Sequence, residues 1–423
     1  MDAPERNLME NPNPQPKPFC VAPFMNFYYK GAKTRSLMRP CCESRVDYAD
    51  KYTPPRDFTD FWRGQLIQDI RKSMLEGKPH EICDRCIEVE NSGGLNSREF
   101  YKRILNKFEQ EYCELEYDVL KGNQFDNPVS IDYRGSNLCN LKCRMCHVGS
   151  SSEIAKEVIE NAEDYDKINI RTNNSFLYKE DKDINTFIEQ IPLHNVMRIK
   201  FLGGEPLLQE DVYKGLEKVA LESWNSAKVD IGFTTNATNF PPRFLDLIGK
   251  FRQVLMRISL DGVEDSYEYV RSNGNWEKVK DNCVKLFEKN YKRGQLVAGF
   301  SFIVQAYSIF DIIKFLQFCV DLKRKNYSVW SEPFFSPIEQ DWLSTAILDQ
   351  EDIKHVIEQL DEFNANNPDQ NYVESIKNII LNFDQNRKIT DQDREQFKTY
   401  TNTLDKIRKT SLININQRFE KYL

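Results

Sequence analysis

The 423-residue sequence lacks any run of about eighteen apolar residues, so it predicts no transmembrane helix. Its first stretch, Met1 to Pro18, is polar and rich in Pro and Asn, and it has no apolar core of the kind that secretory signal peptides contain. We therefore expect a cytoplasmic protein in which residues 1–18 form a flexible tail.

An excess of basic residues is also missing. The 58 Lys and Arg residues are outnumbered by 65 Asp and Glu residues, which gives a net charge of -7. A mildly acidic chain has no general affinity for nucleic acid or for anionic membranes, so we expect neither as its main partner. Hydrophobic residues make up 40% of the chain, which is enough for a sizeable core.

Cysteine, in contrast, is abundant. The chain has 11 cysteines, which is many for a cytoplasmic protein. Disulfides are disfavoured in a reducing compartment, so clustered cysteines indicate metal binding there. Two clusters occur, one in the first hundred residues and one near residue 140.

Changes in composition divide the chain into four regions. Residues 1–18 are the tail, and residues 19–122 form a cysteine-rich module that ends in a charged helical stretch over 97–120. A Gly-, Asn- and Pro-containing linker over 121–128 leads into an α/β region, residues 129–335. Residues 343–423 are polar with helical periodicity, and we predict a helical C-terminal extension.

The α/β region alternates short apolar runs with helical stretches. We predict six strands, at 129–133, 197–202, 229–234, 254–260, 297–304 and 327–334, separated by helices at positions such as 209–221, 276–289 and 309–322. Strands joined by helices pair in parallel through right-handed crossovers. The predicted fold is a partial (β/α)6 barrel that resembles an open TIM barrel.

Three cysteines follow the first of these strands in the sequence SNLCNLKCRMC. Cys139, Cys143 and Cys146 lie where barrel active sites form, in a loop after a strand. Three thiolates can bind three irons of a [4Fe–4S] cluster and leave the fourth iron open for a ligand. A zinc site with His147 as the fourth ligand, or buried cysteines without a metal, remain alternatives.

The spacing C-x-x-x-C-x-x-C after the first strand resembles the radical S-adenosylmethionine (radical SAM) superfamily. The sequence FLGGEPLL at the end of the second strand resembles the Gly-Gly-Glu-Pro segment of that family. The resemblance implies that Gly203, Gly204, Glu205 and Pro206 receive the amino group of S-adenosylmethionine. Glycines allow close approach of the backbone, and a carboxylate accepts hydrogen bonds from an ammonium group.

Further matches lie after the third and fourth strands. Ser259, in RISLDG, resembles the family serine that faces the ribose, and Arg271, in YEYVRSNGNW, resembles an arginine that pairs with the carboxylate of the cofactor. Thr235 and Asn236 end the third strand on the same face. A surface ion pair for Arg271 and a polar turn at Thr235 and Asn236 are the alternatives. The sequence departs from the family pattern at two points. Met145 stands where the family often has an aromatic residue, and the fifth strand lacks a clear glycine signature for contact with adenine.

The upstream cysteines resemble the auxiliary-cluster modules called twitch and SPASM. The set is Cys20, Cys41, Cys42, Cys83 and Cys86. Cys20, Cys41, Cys83 and Cys86 are the expected ligands of an auxiliary iron–sulfur cluster, with Cys42 as the alternative to Cys41. In most such enzymes the module follows the barrel, so its N-terminal position here is a permuted arrangement. A structural zinc site remains open.

The resemblance implies an enzyme that reductively cleaves S-adenosylmethionine at a [4Fe–4S] cluster. The resulting 5′-deoxyadenosyl radical would abstract hydrogen from a substrate, with a peptide or protein favoured over nucleotides, sugars or lipids. A flavodoxin or ferredoxin-type protein is the expected reductant. The alternatives are a non-catalytic zinc or iron–sulfur scaffold and an electron carrier. No catalytic side chain is assigned.

Overall fold

The computed structural model describes residues 19–31, 37–44, 52–53, 55–78, 80–91, 98, 100–101, 104, 127–172, 191–193, 196–222, 226–289, 291–292 and 294–423. The predicted tail and most of the predicted helical stretch and linker lie outside these residues. Two compact units are distinguished, one made of residues 1–29, 37–132 and 190–196 and the other of residues 30–36, 133–189 and 197–423. The domain boundaries inferred from the sequence remain predictions.

The first unit contains the upstream cysteines. Its strands are ordered β2–β1–β3, with β1 at Asn26–Lys30, β2 at Leu37–Arg39 and β3 at Ser130–Arg134, the last residues of β1 and β3 belonging to the second unit. Its helices are α1 (Ala22–Met25), α2 (Phe58–Trp62), α3 (Gln65–Leu75) and α4 (Asp84–Asn91). Asp57 is the N-cap of helix α2, and its carboxylate accepts the Asp60 N–H.

The second unit contains a mainly parallel sheet. Beyond the end of β3 its strands follow in the order β5–β6–β7–β9–β10, and the neighbours from β5 to β10 are parallel. These strands are β5 (Arg198–Leu202), β6 (Asp230–Thr235), β7 (Gln253–Ser259), β9 (Leu296–Val304) and β10 (Phe334–Pro337). A separate two-stranded pair joins β4 (Lys142–Cys143) to β8 (Arg271–Ser272). The predicted α/β fold class is confirmed.

The last strand lies further along the chain than the sequence predicts. Residues 327–329 form a turn after a helix that Asn326 ends in the left-handed conformation, with φ of 53°. Trp330 makes only an isolated bridge to Ala298, and continuous pairing with β9 begins at Phe334. Most of the apolar run 327–334 therefore precedes the strand and includes a turn. The alternation of apolar residues alone did not distinguish a turn from a strand.

The helices of this unit cover one face of the sheet. Their bounds are α5 (Ser152–Glu160), α6 (Ala162–Asp166), α7 (Glu210–Glu222), α8 (Pro242–Ile248), α9 (Glu264–Val270), α10 (Trp276–Glu288) and α11 (Ile312–Arg324). Phe233 of β6 packs edge to face on Phe244 of α8 at 5.1 Å, and Phe302 of β9 lies 4.7 Å from Phe315 of α11. The opposite face of the sheet is partly accessible to solvent.

The predicted helical C-terminal region is present. It contains α12 (Gln350–Asn366), α13 (Tyr372–Asn378), a π-helix (Ile379–Asp384), α14 (Asp391–Arg408) and α15 (Leu412–Ile415). Asp349 caps α12 by accepting the Asp352 N–H, and Thr390 and Asp393 form a capping box on α14. Within the described residues, each helix is too short or too polar to cross a bilayer.

Candidate functional site

The three clustered cysteines lie on the loop between β3 and α5. Ser151 and Ser152 at the start of α5 fix this loop: the Ser151 hydroxyl donates to the Leu141 carbonyl at 2.6 Å, and the Cys139 N–H donates to the Ser152 hydroxyl at 3.3 Å. Cys139 and Cys143 are buried, and Cys146 is partly exposed. Serine at a helix start therefore caps the helix and positions the cysteine loop at the same time.

Cys143 lies directly opposite Arg271 in the short β4–β8 pair. The Arg271 Nη1 donates to the Cys143 sulfur at 3.6 Å, its Nε donates to the Leu260 carbonyl at 3.0 Å, and its Nη2 lies 2.5 Å from the buried Asp261 carboxylate. Although burial disfavours the charged guanidinium, Asp261 and the Cys143 sulfur together raise the pKa of Arg271. A permanent cation thus lies against one cysteine of the triplet.

The three thiols influence one another electrostatically. The hydrogen bond from Cys146, helped by Arg271, lowers the pKa of Cys143 to about 7 despite its burial. Donating that hydrogen bond raises the pKa of Cys146, while burial and the nearby Cys143 raise the pKa of Cys139 to about 12. The arrangement thus lowers the pKa of one thiol and raises the pKa of the other two, and binding of a metal favours the thiolate form of its cysteine ligands.

The Gly-Gly-Glu-Pro segment packs against the residues that precede Cys139. The Gly204 N–H donates to the Ser136 carbonyl at 3.0 Å, and the Glu205 N–H donates to the Leu138 carbonyl at 2.7 Å. A Cβ on Gly204 would lie 2.3 Å from the Leu138 carbonyl oxygen, and Gly203 has φ of 149°. Both glycines are therefore required for this close approach of two loops.

Glu205 has its carboxylate turned inward. It accepts hydrogen bonds from the Leu207 N–H at 3.1 Å, the Thr235 hydroxyl at 2.7 Å and the Asn236 N–H at 2.6 Å. Burial raises the pKa of Glu205 to about 7, although these three donors oppose the shift. Pro206 begins the following single turn and is buried. The carboxylate joins the ends of β5 and β6, and its assignment to a cofactor amino group remains a prediction.

Asn236 connects this network to the cysteines. Its Nδ2 lies 3.9 Å from the Cys139 sulfur and donates to the Asn140 side chain at 3.0 Å. Its Oδ1 accepts from the Thr238 N–H and hydroxyl. Thr235 and Asn236 thus do more than form a polar turn, because they bring the end of β6 to the cysteine loop. Ser259 ends the neighbouring β7 and is half-buried.

Sequence reasoning missed several residues that build this site. Asp261 lies two residues after the predicted Ser259, in the sequence SLDG, and its Oδ1 accepts the Ile303 N–H at 2.7 Å while its other oxygen holds Arg271. The short sequence distance from Ser259 was the signal that could have identified Asp261. Arg144 lies between two of the cysteines, but no sequence pattern pointed to its role, because its partners come from distant parts of the chain.

The C-terminal region holds the cysteine loop in place. The fully buried Arg144 guanidinium lies 3.6 Å from the Tyr269 ring centroid and pairs with Asp405 of α14. The Tyr400 hydroxyl donates to the Arg144 carbonyl at 2.6 Å, and Leu404 packs in a core cluster against which Cys146 lies. Helix α14 is therefore part of the site's framework.

Arg408, at the end of α14, adds a second buried ion pair. It donates to the Glu157 carboxylate of α5 at 2.8 Å and to the Ser272 hydroxyl at 3.2 Å. Although burial by itself favours the neutral acid, Arg408 and Lys142 hold the pKa of Glu157 below its usual value. The pair connects α14, the β4–β8 pair and the helix that follows the cysteines.

The upstream cysteines also cluster. Burial, followed by the nearby sulfurs of Cys20, Cys42 and Cys83, raises the pKa of Cys41. Burial and the sulfurs of Cys20 and Cys86 raise the pKa of Cys83 to about 12. Cys41 is buried, whereas Cys42 is exposed and its sulfur lies 3.7 Å from the Glu43 carboxylate. The burial favours Cys41 over Cys42 as the fourth ligand.

The donor sets fit metals that prefer sulfur. In the described part of the chain, no group of three His, Cys, Asp or Glu side chains already stands at metal-ligating distances. His147 is poorly placed to be a zinc ligand, since its Nδ1 accepts the Gly149 N–H and its Nε2 lies 3.0 Å from the Ser150 hydroxyl. Three sulfurs without a nitrogen partner suit an iron–sulfur cluster with one open iron.

Comparison with family models supports this interpretation. Residues 133–319 match the model of the Radical SAM superfamily. The segment contains all three clustered cysteines, the Gly-Gly-Glu-Pro segment, Asp261 and Arg271. The match thus covers every side chain of the site except those that α14 supplies.

Similar curated proteins include the sporulation killing factor maturation protein SkfB of Bacillus subtilis, which is 21% identical over 164 residues, 38% of this chain and 34% of that protein. A probable GTP 3′,8-cyclase of Methanococcus maripaludis is 26% identical over 212 residues, 48% of this chain and 57% of the relative. The chain thus spans about a third to just over half the length of these two relatives.

Similar solved structures include Streptococcus suis SuiB bound to S-adenosylmethionine, with a TM-score of 0.36, 16% identity, and coverage of 64% of this chain and 59% of SuiB. Another is anSMEcpe with bound AdoMet, with a TM-score of 0.39, 17% identity, and coverage of 60% of this chain and 67% of that one.

Proposed function

We propose that the chain is a radical SAM enzyme that modifies a peptide or protein, because residues 133–319 match the model of the Radical SAM superfamily. The observation that carries the proposal is the position of Arg271, opposite Cys143 in the β4–β8 pair with its guanidinium 3.6 Å from the sulfur. A cation held there compensates the negative charge that thiolates bring to an iron–sulfur cluster.

Each part of the site has a role in this proposal. Cys139, Cys143 and Cys146 hold the [4Fe–4S] cluster, and the backbone around Gly203 and Gly204 provides the close approach that the methionine part of S-adenosylmethionine requires. Ser259 faces the ribose, as the resemblance implies, and Thr235 and Asn236 fix Glu205 and the Cys139 side of the loop. When bound, the cluster and S-adenosylmethionine supply a 5′-deoxyadenosyl radical by one-electron cleavage of the carbon–sulfur bond, with methionine as the other product.

Arg271 has two available functions in the site. Its Nη1 already lies toward Cys143, while Asp261 and Leu260 hold the other side of the guanidinium. The fixed guanidinium is therefore presented on the cysteine side, where the carboxylate of S-adenosylmethionine would also find a donor. Asp261 is a positioning residue for Arg271 in this arrangement.

The upstream cysteines support a second cluster in the same enzyme. Cys20, Cys41, Cys83 and Cys86 are near neighbours, and four sulfurs can complete the coordination of a cluster. The resemblance of this region to auxiliary-cluster modules, together with the name of SkfB as a maturation protein, favours a peptide substrate. A flavodoxin or ferredoxin-type donor in the cytoplasm would supply the electron.

A nucleotide substrate is the second candidate, because probable GTP 3′,8-cyclases are among the similar proteins. The two candidates predict different responses to GTP. A nucleotide enzyme would consume GTP and form 5′-deoxyadenosine faster when GTP is added, whereas a peptide enzyme would show no such acceleration.

Anaerobic reconstitution tests the proposal. The purified chain is incubated with iron and sulfide, then with dithionite and S-adenosylmethionine, and 5′-deoxyadenosine is measured by chromatography. We expect 5′-deoxyadenosine from the wild type and none from Cys143→Ala. Cys283→Ala, which removes a buried thiol in α10 away from the cluster, is the matched control and should retain the activity. A colourless wild type that is indifferent to air and forms no 5′-deoxyadenosine would contradict the proposal.

A further inference from the structure

The face of the sheet that the helices leave uncovered has an unusual charge pattern. Alternate residues of five strands are at least partly accessible there, and they are Lys200, Leu202, Gly232, Thr234, Leu255, Arg257, Ser259, Val297, Ser301, Ile303, Phe334 and Ser336. The set includes two cations and no carboxylate, although the chain as a whole carries a net charge of -7. Such a face is complementary to an anion.

Arg257 lies near the centre of this face and lacks a carboxylate partner among the described residues. It forms no ion pair there, and its guanidinium carbon lies 5.5 Å from the ring centroid of Phe334. Arg257 pairs in register with Gly299 on the intervening strand β9, and Ser331 and Glu332 lie against Gly299 where a side chain would otherwise stand. Partial removal of the guanidinium from water lowers the pKa of Arg257, and no anion among the described residues opposes this shift.

Two apolar side chains flank the guanidinium and remain accessible. Leu255, one pleat before Arg257 on the same strand, is 40% exposed, and Phe334 is 51% exposed. Large apolar groups on a sheet face are ordinarily covered by other side chains or by a ligand. Together, Leu255, Arg257 and Phe334 form an apolar surface with a single cation in the middle, here called the Arg257 shelf.

We propose that the Arg257 shelf is the substrate-binding site and that it binds a peptide through the carboxylate of an Asp or Glu side chain. This inference rests on the proposed function, since it places a substrate on the same sheet face as the radical site. Ser259, assigned to the ribose, follows Arg257 by two residues on β7, which is about 7 Å along a strand. A residue anchored on the shelf would lie within one or two side-chain lengths of Ser259.

The chemistry of the shelf favours a carboxylate over a polyphosphate. One guanidinium forms a bidentate pair with one carboxylate, and an aromatic ring beneath it holds its plane in position. A nucleoside triphosphate brings several negative charges, which are usually met by several cations, a metal ion or a helix N-terminus. On the described face, the exposed neighbours of Arg257 are instead Leu255 and Phe334, which suit the apolar part of a peptide.

The test uses small probes on the anaerobically reconstituted full-length chain. N-acetyl-glutamate amide, N-acetyl-glutamine amide and methyl phosphate are titrated, and binding is measured by saturation-transfer NMR on the probe. The variants are Arg257→Gln, which removes the charge, and Arg257→Lys, which keeps the charge but not the planar fork. Arg243→Gln is the matched control, because Arg243 is an exposed arginine engaged by Glu210 and Glu217 elsewhere on the unit.

We expect the glutamate probe to bind the wild type and Arg243→Gln, to bind Arg257→Gln about tenfold more weakly and to bind Arg257→Lys with intermediate affinity. Equal binding of the glutamate probe to the wild type and Arg257→Gln overturns the proposal, as does a wild type that does not prefer the glutamate probe over the glutamine probe. Tighter binding of methyl phosphate overturns the carboxylate assignment in favour of a phosphate-bearing substrate.

A parallel measurement separates this inference from the proposed function. Formation of 5′-deoxyadenosine by the wild type without any probe reports on the radical chemistry alone. If it is absent while the glutamate probe binds through Arg257, the radical SAM proposal fails and the shelf remains an anion site. If it is present while the glutamate probe does not bind, only the substrate assignment fails.

Discussion

The Asp405 carboxylate lies 2.5 Å from the guanidinium of Arg144, the residue that follows Cys143 in the sequence. Arg144 is fully buried, and it also donates to the Tyr269 carbonyl at 3.0 Å and to the Thr410 hydroxyl at 2.8 Å. The cysteine loop is therefore held to helix α14 by Arg144, a residue of the loop itself. Its conformation depends on the C-terminal region as much as on the strand that precedes it.

Asp405→Ala should destabilise the folded chain by about 3–5 kcal/mol, because it leaves a buried guanidinium without a counter-charge. Urea unfolding followed by circular dichroism measures the change. The matched control is Asp164→Ala, which removes an exposed pair with Lys406 on the same helix and should leave the unfolding midpoint nearly unchanged. Similar midpoints for Asp405→Ala and the wild type would show that Arg144 finds another partner.

Iron content distinguishes the two cysteine sets. The reconstituted wild type should contain about eight irons per chain, four for each [4Fe–4S] cluster. Replacement of Cys139, Cys143 and Cys146 by Ala should remove about four irons and all 5′-deoxyadenosine formation, whereas Cys83→Ala with Cys86→Ala should remove the other four. A wild type with about four irons and one zinc would assign the upstream set to zinc.

Arg271→Gln should shift the midpoint potential of the cluster to more negative values. The substitution removes a positive charge that lies 3.6 Å from the Cys143 sulfur, and that charge favours the more negative, reduced cluster. Spectroscopic redox titration measures the potential, and equilibrium binding measures the affinity for S-adenosylmethionine, which should also fall. An unchanged affinity with a shifted potential would limit Arg271 to the cluster.

Glu205 should make the free energy of unfolding depend on pH. Its pKa is about 7 in the folded chain, above the ordinary value of 4.5, so the folded state binds more protons than the unfolded state between these values. Stability should therefore decrease as the pH rises from about 4.5 to 7, and Glu205→Gln should flatten this dependence. Unfolding curves at several pH values for both proteins provide the measurement, and parallel profiles would place the titration elsewhere.

Gln305 offers a test of the core. It follows β9, has no exposed area, and neither its Nε2 nor its Oε1 has a hydrogen-bond partner among the described residues. A buried unpartnered amide costs about 1–3 kcal/mol, so Gln305→Met, which has a similar volume, should raise the unfolding midpoint of the metal-free chain. A lower midpoint would reveal that the amide has a water or protein partner.

The sequence predicts the strands of the sheet well where helices bury one side and alternation is regular. Five predicted strands lie within one or two residues of β3, β5, β6, β7 and β9. The strand β10 was displaced because an apolar turn and an apolar strand have the same composition. Local periodicity cannot separate them.

The site was predictable where its residues form motifs and not where they form contacts. The three cysteines and the Gly-Gly-Glu-Pro segment stand out as spacing, and the structure brings their loops together. Arg144 and Asp405 are 261 residues apart, so no pattern connects them. Arg257 and Phe334 meet across the intervening strand β9, and only the sheet register establishes that contact.

The attachment of Arg144 to helix α14 has a consequence during synthesis on the ribosome. At about 5–20 residues per second, the cysteine loop is made roughly 13–50 s before Asp405 exists to hold it, since 261 residues separate the two. For that interval its thiols are exposed to any oxidant or stray cation in the cell. Delivery of iron and sulfide should therefore be productive only after translation has passed α14, and a chain stalled before that helix should be a poor acceptor.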